Sequence, residues 1–477
     1  MNIILKSFDG NDLDPFILET ALKGLKIGTC ISVANDTTLL PKLDAQEHIW
    51  QPAAPLRAGR YPDVNWAEIT PIDEELIEQM RHAEAVFYTM IERYMQKGEM
   101  HFMERRRQYR MHLRYWNHVL NEKKIDLLLL NHAPHQGYDY VLYYLCRLKG
   151  IPTLHLERAH VMDTLFVWDD WEDAGRELRE RFDELKQQYG EEAHVPLSDN
   201  FEHYFREFSE QNTEPFFMNR VKLHKKSKSF VQKWWKPLLS LLHRNPWEGI
   251  STLLSPAVWS RRLRQHRITQ MYFRHMKEPD LSRKYIYVPL HAQPEMSSCP
   301  MAGAYVDQQL IVQMLAKCAP PDVAIYVREH PIQGEHWRSE AFFHSLLEIP
   351  SVTLVPKDFD VFTLIEHAAA VATGAGTSAF QAIFHGKPAL LFGHRFFQFA
   401  PGIHRIRTTK DCMQAIEKIF NEHAAPAPHD LRIFLKAVEE CSVPYLGEPY
   451  SPRETLTQQE KAQLIGQKIS EKIRAVR

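Results

Sequence analysis

The chain has 477 residues, 44% hydrophobic and 25% charged, with 58 Lys and Arg against 60 Asp and Glu. At roughly 100–200 residues per domain, this is an ordinary globular composition of two to four domains and excludes a single small binding module. A formal net charge of −2 supplies no whole-molecule field for nucleic acid, so charge is read by region. The cysteines (Cys30, Cys146, Cys299, Cys318, Cys412, Cys441) are scattered, without CxxC or zinc-finger spacing. Neither a disulfide framework nor a metal site is expected. The opening residues become polar too soon for a signal peptide, and no run of 18 apolar residues occurs, so the expected location is the cytoplasm.

In chain order, an apolar run at Ile3–Leu5, a helical pattern over Pro15–Leu25 and a second apolar run at Ile27–Val33 read as β-α-β. A polar, proline-bearing stretch from Leu40 to Asn65 follows, then helical spacings over Ile72–Lys97 and His101–Asn121. A buried strand is predicted at Asp126–Leu130, a helix at Tyr138–Lys149 closed by Gly150, and another strand at Ile151–Leu156. Between Asp169 and Glu192 the chain is acidic and helical. From Arg220 to Lys277 fourteen Lys and Arg face one acid, Glu248, interleaved with Trp234, Trp235, Trp247 and Trp259. That stretch reads either as a surface for anionic inner-membrane headgroups or as a connector whose charges are solvated or paired with the acidic run.

Regular alternation resumes at Lys284, with strands at Tyr285–Leu290, Val323–Arg328, Val352–Val355, Ala370–Thr373 and Pro388–Phe392. The helices between them are Val306–Lys317, Glu340–Leu347, Val361–Ala368 and Thr377–His385. The predicted fold class is α/β, with two Rossmann-like doubly wound domains in a GT-B-like layout and a helical basic linker or insertion. The expected domains are 1–168, a linker at 169–280, a nucleotide-sugar domain at 281–450 and a closing helix within 451–477.

Ligands of an open parallel sheet lie beyond its strand ends. Three ends in the second half are polar: His291-Ala292-Gln293-Pro294-Glu295, Arg328-Glu329-His330-Pro331, and Thr373-Gly374-Ala375-Gly376-Thr377-Ser378. The glycine turn opens a helix whose free N–H groups suit a phosphate, and Thr377 or Ser378 could cap the helix or bond that phosphate. Each motif also has a plain structural reading: a turn, a strand stop or an exposed loop.

The stretch YIYVPLHAQPEMSSCPMAGAYVDQQLIVQMLAKCAPPDVAIYVREHP (285–331), with the later GTSAFQAIFHGKPALLFG, resembles the bacterial capsular polysaccharide biosynthesis and export family over about residues 285–402. That family includes transferases of 3-deoxy-manno-octulosonic acid (Kdo) from CMP-Kdo, whose QP and HP signatures resemble Gln293-Pro294 and His330-Pro331. The resemblance implies that His330 and Pro331 meet CMP and that Thr377 and Ser378 lie near its phosphate. With Gln293 and Pro294 of the QP signature, and Arg328, Gly374 and Gly376 from the reading of the strand ends, these residues make up the expected nucleotide-sugar site.

For a nucleophile or base near the anomeric carbon, the candidates are Glu157, His160 and Glu295, with Asp163, His132 and His135 also at strand ends. All of them read equally as solvated loop residues. Arg158 or Arg328 could pair with the carboxylate of a sugar acid. No cofactor and no metal are expected, because a monophosphate leaving group can be stabilised by helix and side-chain donors. The expected partners are a nucleotide-sugar donor and a glycan or lipid-linked glycan acceptor. A UDP-sugar 2-epimerase-like enzyme and a non-catalytic polysaccharide export or binding component stand as alternatives.

Overall fold

The computed structural model describes residues 1–94, 100–159, 163–191, 193–210, 256–331, 333, 338–446 and 455–476. The first sheet has seven strands in the order β13-β6-β5-β4-β1-β2-β3. They are β1 Ile3–Lys6, β2 Ile27–Ala34, β3 Ala45–Pro52, β4 Leu127–Leu130, β5 Thr153–Ala159, β6 Thr164–Trp168 and β13 Val443–Pro444. β1 and β4 are buried throughout, as expected of central strands covered on both faces. Their register sets Ile3 against Cys30 on one side and Leu127 on the other. β5-β4-β1-β2-β3 are parallel, whereas β6 returns antiparallel to β5, and β13 pairs antiparallel to β6.

The second sheet is wholly parallel, in the order β12-β11-β10-β7-β8-β9. Its strands are β7 Tyr285–Pro289, β8 Ala324–Arg328, β9 Val352–Val355, β10 Ala370–Thr373, β11 Ala389–Leu391 and β12 Ile403–Arg405. The two doubly wound sheets give the GT-B-like α/β class predicted.

Several elements depart from the sequence reading. Residues 45–52, expected within a polar loop, form the edge strand β3. An edge needs no apolar alternation, and most of these side chains lie half-buried or in solvent. The helix expected over 72–97 is broken at Met80 into Glu74–Gln79, capped by Asp73, and Arg81–Met90, followed by a 3₁₀ turn at Ile91–Tyr94. The short antiparallel strands β6 and β13 were not foreseen.

The helix Arg176–Tyr189 packs on the helix Pro428–Cys441, and the helix Asp199–Glu210 packs on that same helix and on Thr377–Phe384. Charged residues of the first of these pair with Pro428–Cys441, as in Lys186–Asp430 at 2.8 Å and Arg181–Glu440 at 2.6 Å. Most of the basic, tryptophan-bearing stretch lies outside the described residues, which include its helix Pro256–His275. There Tyr272 is buried and its hydroxyl donates to Val355 O at 2.5 Å. The terminal helix Gln458–Ala475 opens with a Thr457–Glu460 capping box and packs on Asp14–Ala21.

The sheets are joined by the loop after β11. His394 Nδ1 donates to Glu172 O at 2.6 Å, and Gln398 Nε2 donates to Ala174 O at 2.7 Å. Gly175, at φ +88°, lies so close to Phe396 O that a Cβ would fall 2.1 Å from it. Only glycine fits that junction.

Burial holds His112 and His291 down to about 3 and His155 to about 4. In the unfolded chain these imidazoles titrate near 6.5. Below that pH the unfolded state binds more protons, so stability is lost as pH falls from 6.5 toward 4, by up to about 1.4 kcal/mol per pH unit for each group. The expected result is a midpoint temperature clearly lower at pH 5 than at pH 7; a midpoint unchanged over that interval would contradict the burial of neutral imidazoles.

Candidate functional site

In the second sheet the strand order reverses between β7 and β10, which opens a crevice between the loops that follow them. His291, after β7, crosses it. Its Nε2 accepts from Ala375 N–H at 2.9 Å and lies 3.1 Å from Thr373 Oγ1. Because Nε2 is accepting, the ring proton belongs on Nδ1. A Cβ at Gly374 would fall 3.1 Å from His291 Nε2, and one at Gly376 would fall 3.1 Å from its Cε1 and 2.8 Å from Thr373 Oγ1. The two glycines were expected to make room for a ligand; the space they leave is occupied by the protein's own imidazole.

The helix Thr377–Phe384 has Gly376 at its N-cap and no side-chain cap bond. Thr377 and Ser378 therefore do not cap it. Both are half-buried at its first turn, where N–H groups of the first turn favour an anion.

The loops after β7 and β8 are fastened by Arg338, which sequence reasoning missed. Its Nε donates to Glu329 Oε2 at 2.8 Å, while Nη2 donates to Glu329 Oε1 at 3.1 Å and to His291 O at 2.9 Å. Nη1 donates to Gln293 Oε1. Both partners of the Glu329–Arg338 pair are almost fully buried, at 1% and 2% side-chain exposure. Glu329 Oε1 also accepts His330 N–H at 2.8 Å, and Gln293 Nε2 donates to Val306 O at 2.8 Å. Gln293-Pro294 and Cys299-Pro300 are cis. His330 is half-buried and close enough to His291 for its charge to oppose protonation there, as do Arg338 and Arg395. Pro331 is exposed.

Other predicted residues lie elsewhere. Arg328 directs Nη2 to Lys357 O at 2.6 Å, toward the β8–β9 side. Arg158 pairs with Asp163 and stacks over Tyr445 at 3.9 Å, next to β13. Glu157 is buried in the junction between the sheets, accepting from Trp168 Nε1 at 3.0 Å and facing Arg395 Nε at 3.7 Å. Burial raises its carboxyl above the ordinary range. Glu295 is exposed at the rim, and Arg93 of the first domain reaches the same loop, donating to Cys299 O at 2.7 Å. His160 lies outside the described residues.

The first sheet has its own reversal, between β1 and β4. Lys6 at the end of β1 forms a fully buried ion pair with Asp139 at 2.6 Å. Burial alone would raise the Asp139 carboxyl, but Lys6, His135 and His132 together hold it below the usual range. His132, His135 and Asp139 are grouped as metal ligands can be, with ligand atoms within 4.8 Å of one another. Lys6 Nζ, however, lies 3.2 Å from His132 Nε2 as well as 2.6 Å from Asp139, so two of the three groups already share the lysine amine. His135 Nδ1 lies 2.9 Å from Ala133 O. A carbonyl only accepts, so Nδ1 carries the proton and Nε2 presents a lone pair. Burial holds this imidazole at about 4, neutral at physiological pH. His132 and His135 were legible as strand-end residues; Lys6 and Asp139, far apart in sequence, were not.

Ala133, just beyond β4, and Ala375, just beyond β10, share one apolar cluster with Cys299 and Met301, so the carboxyl edges of the two sheets meet. This is the two-domain α/β class that binds ligands between facing strand ends. Within it, residues 249–418 match the family model described as capsule polysaccharide biosynthesis protein. That stretch contains every residue of the second crevice and overlaps the residues, 285–402, from which the family resemblance was read.

No curated protein matches the chain. Among solved structures it is similar to UDP-GlcNAc 2-epimerase from Methanocaldococcus jannaschii, at 12% identity over 92% of this chain and 98% of that one, TM-score 0.27. It is also similar to the beta Kdo 2,4 transferase of Thermosulfurimonas dismutans KpsC, at 12% identity over 66% and 79%, TM-score 0.32. A third is sucrose-phosphate synthase from Thermosynechococcus elongatus, at 10% identity over 100% and 98%, TM-score 0.27. At these scores the likenesses carry no weight for function, and the fold class rests on the strand order. Among the described residues, no helix is long and apolar enough to cross a membrane.

Removing Arg338 strands Glu329 as a buried charge, a loss of about 3–5 kcal/mol. Arg338→Lys cannot reproduce the forked contacts. Both Arg338→Met and Arg338→Lys are expected to lower the unfolding midpoint and weaken ligand binding in the crevice. A lysine variant with wild-type stability would refute the role given to the fork.

Proposed function

We propose that the protein is a glycosyltransferase of capsule or other surface polysaccharide synthesis that uses a CMP-activated sugar acid such as CMP-Kdo. The observation that carries this reading is the coincidence of the capsule-family match at 249–418 with the β7–β10 crevice. Gln293-Pro294 and His330-Pro331 would meet the cytidine part, with Thr377 and Ser378 at the phosphate. The helix Thr377–Phe384 offers N–H groups to an anion, and stabilisation of a departing monophosphate there requires no divalent ion.

The geometry of the first domain favours His135 over the glutamates as acceptor base. Its Nε2 has the lone pair needed to take a hydroxyl proton, while Glu157 is buried in the junction. Lys6 and Asp139 would hold the surrounding loop in place; Asp139 would favour the imidazolium that forms, against the larger opposing effects of burial and of Lys6. The acceptor would be a glycan or lipid-linked glycan. A cytoplasmic site at the inner membrane, reached through residues 220–277, belongs to the same proposal.

Calorimetry with CMP, UDP, GDP and ADP tests the donor class. Selective CMP binding, lost in His330→Ala, is the expected outcome, together with CMP release from CMP-Kdo that persists in EDTA. His135→Gln should keep CMP affinity and lower transfer by about 10²–10⁴-fold. Preference for UDP would support the epimerase-like alternative, and absence of nucleotide binding would support a non-catalytic export component.

A further inference from the structure

The helix Phe102–Glu122 carries a cationic face that lies outside both crevices. Arg106, Arg107, Arg110 and Arg114 follow helical i, i+4 and i+3 spacings and line a groove of about 780 Å³ whose apolar side includes Trp66, Ile72 and Met111. The groove is built around a fixed ring. Arg114 Nη2 donates to Trp66 O at 2.7 Å and to Ile69 O at 2.5 Å, and its Nε donates to Thr70 O at 3.2 Å. The guanidinium also stacks over the Trp66 indole at 5.6 Å, and Tyr61 meets that indole edge-on at 5.7 Å.

On the rim, Arg107 pairs with Glu104 at 3.2 Å. No ion pair involving Arg106 or Arg110 occurs among the described residues. The cationic charge of the face thus exceeds that of Glu104, its one acid. An aromatic platform beside unneutralised guanidinium groups suits a ligand that combines apolar ring faces with carboxylates or phosphates.

The helix that lines the groove is also tied to the second domain near its start. Arg105, on the same helix, pairs with Glu92 at 3.2 Å, and the next residue, Arg93, contacts the second domain at Cys299 O. We propose that this groove binds an anionic oligosaccharide and is the track along which the acidic glycan acceptor reaches the site. The assignment as acceptor track rests on the transferase reading; the binding itself does not. A concave groove with its indole held half-buried between Arg114 and Tyr61 suits a chain-like ligand better than a flat bilayer.

The test is calorimetry of the full chain with oligogalacturonate, a carboxylate-bearing oligosaccharide, and with neutral maltooligosaccharide, at low and physiological salt. The proposal requires salt-sensitive binding of oligogalacturonate and none of maltooligosaccharide. The double substitution Arg106→Ala/Arg110→Ala should weaken that binding at least about tenfold, with the unfolding midpoint and CMP response of the wild type retained. Trp66→Leu, affecting the platform instead of the charge, should weaken it as well. The proposal is overturned if oligogalacturonate does not bind, if both variants bind it as the wild type does, or if phosphatidylglycerol vesicles alone bind through Arg106 and Arg110. Loss of the transferase reading would show separately, as a wild type that binds oligogalacturonate but no nucleotide.

Discussion

The second domain depends on one buried guanidinium. In a low-dielectric interior, Glu329 and Arg338 each require the other, and a buried pair is tolerable only when its remaining donors and acceptors are also used. Here they are largely used: Arg338 bonds Glu329 twice, His291 O and Gln293 Oε1, and Glu329 accepts His330 N–H. Its guanidinium also stacks over Phe342 at 4.6 Å. The loops after β7 and β8 are consequently one unit, and the positions of Gln293 and His330 are set by the same group.

The two strand-order reversals place different chemistry on the two sides of the cleft. On the second domain, His291 is consumed structurally, its Nε2 spent on Ala375 N–H and its ring filling the space left by Gly374 and Gly376. On the first, the ion pair of Lys6 and Asp139 fixes the loop from which His135 presents a lone pair. An anion-favouring helix start lies on one side and a neutral imidazole on the other, which is the division of labour the proposed transfer would use. The loop after β11 holds the sheets together through Gln398, His394 and the close approach at Gly175.

Much of the second sheet was legible because its strands are short, buried apolar runs between helices with regular spacing. β9 and β10 have the predicted bounds, as does the helix Glu340–Leu347, and the closing helix expected within 451–477 is Gln458–Ala475. What was not legible depends on distant partners. β3 is a polar edge whose stability comes from backbone pairing with β2, and β13 is a two-residue strand set by β6. The polar strand ends lie along one edge of the sheet, as expected, but they did not announce which side chains turn into the crevice. Arg328 turns to Lys357, and Arg158 turns to Asp163 and Tyr445. Arg338 stands 45 residues from Gln293, with no local pattern to announce it. His291 appeared only as one residue of a loop, because its bond to Ala375 spans 84 positions.

The most direct measurement is a crystal structure of the full chain soaked with CMP. The account predicts cytidine beside His330 and Gln293, with its phosphate at the first turn of the helix Thr377–Phe384. CMP bound elsewhere, or an empty crevice at saturating CMP in crystals that leave this face open, would contradict it.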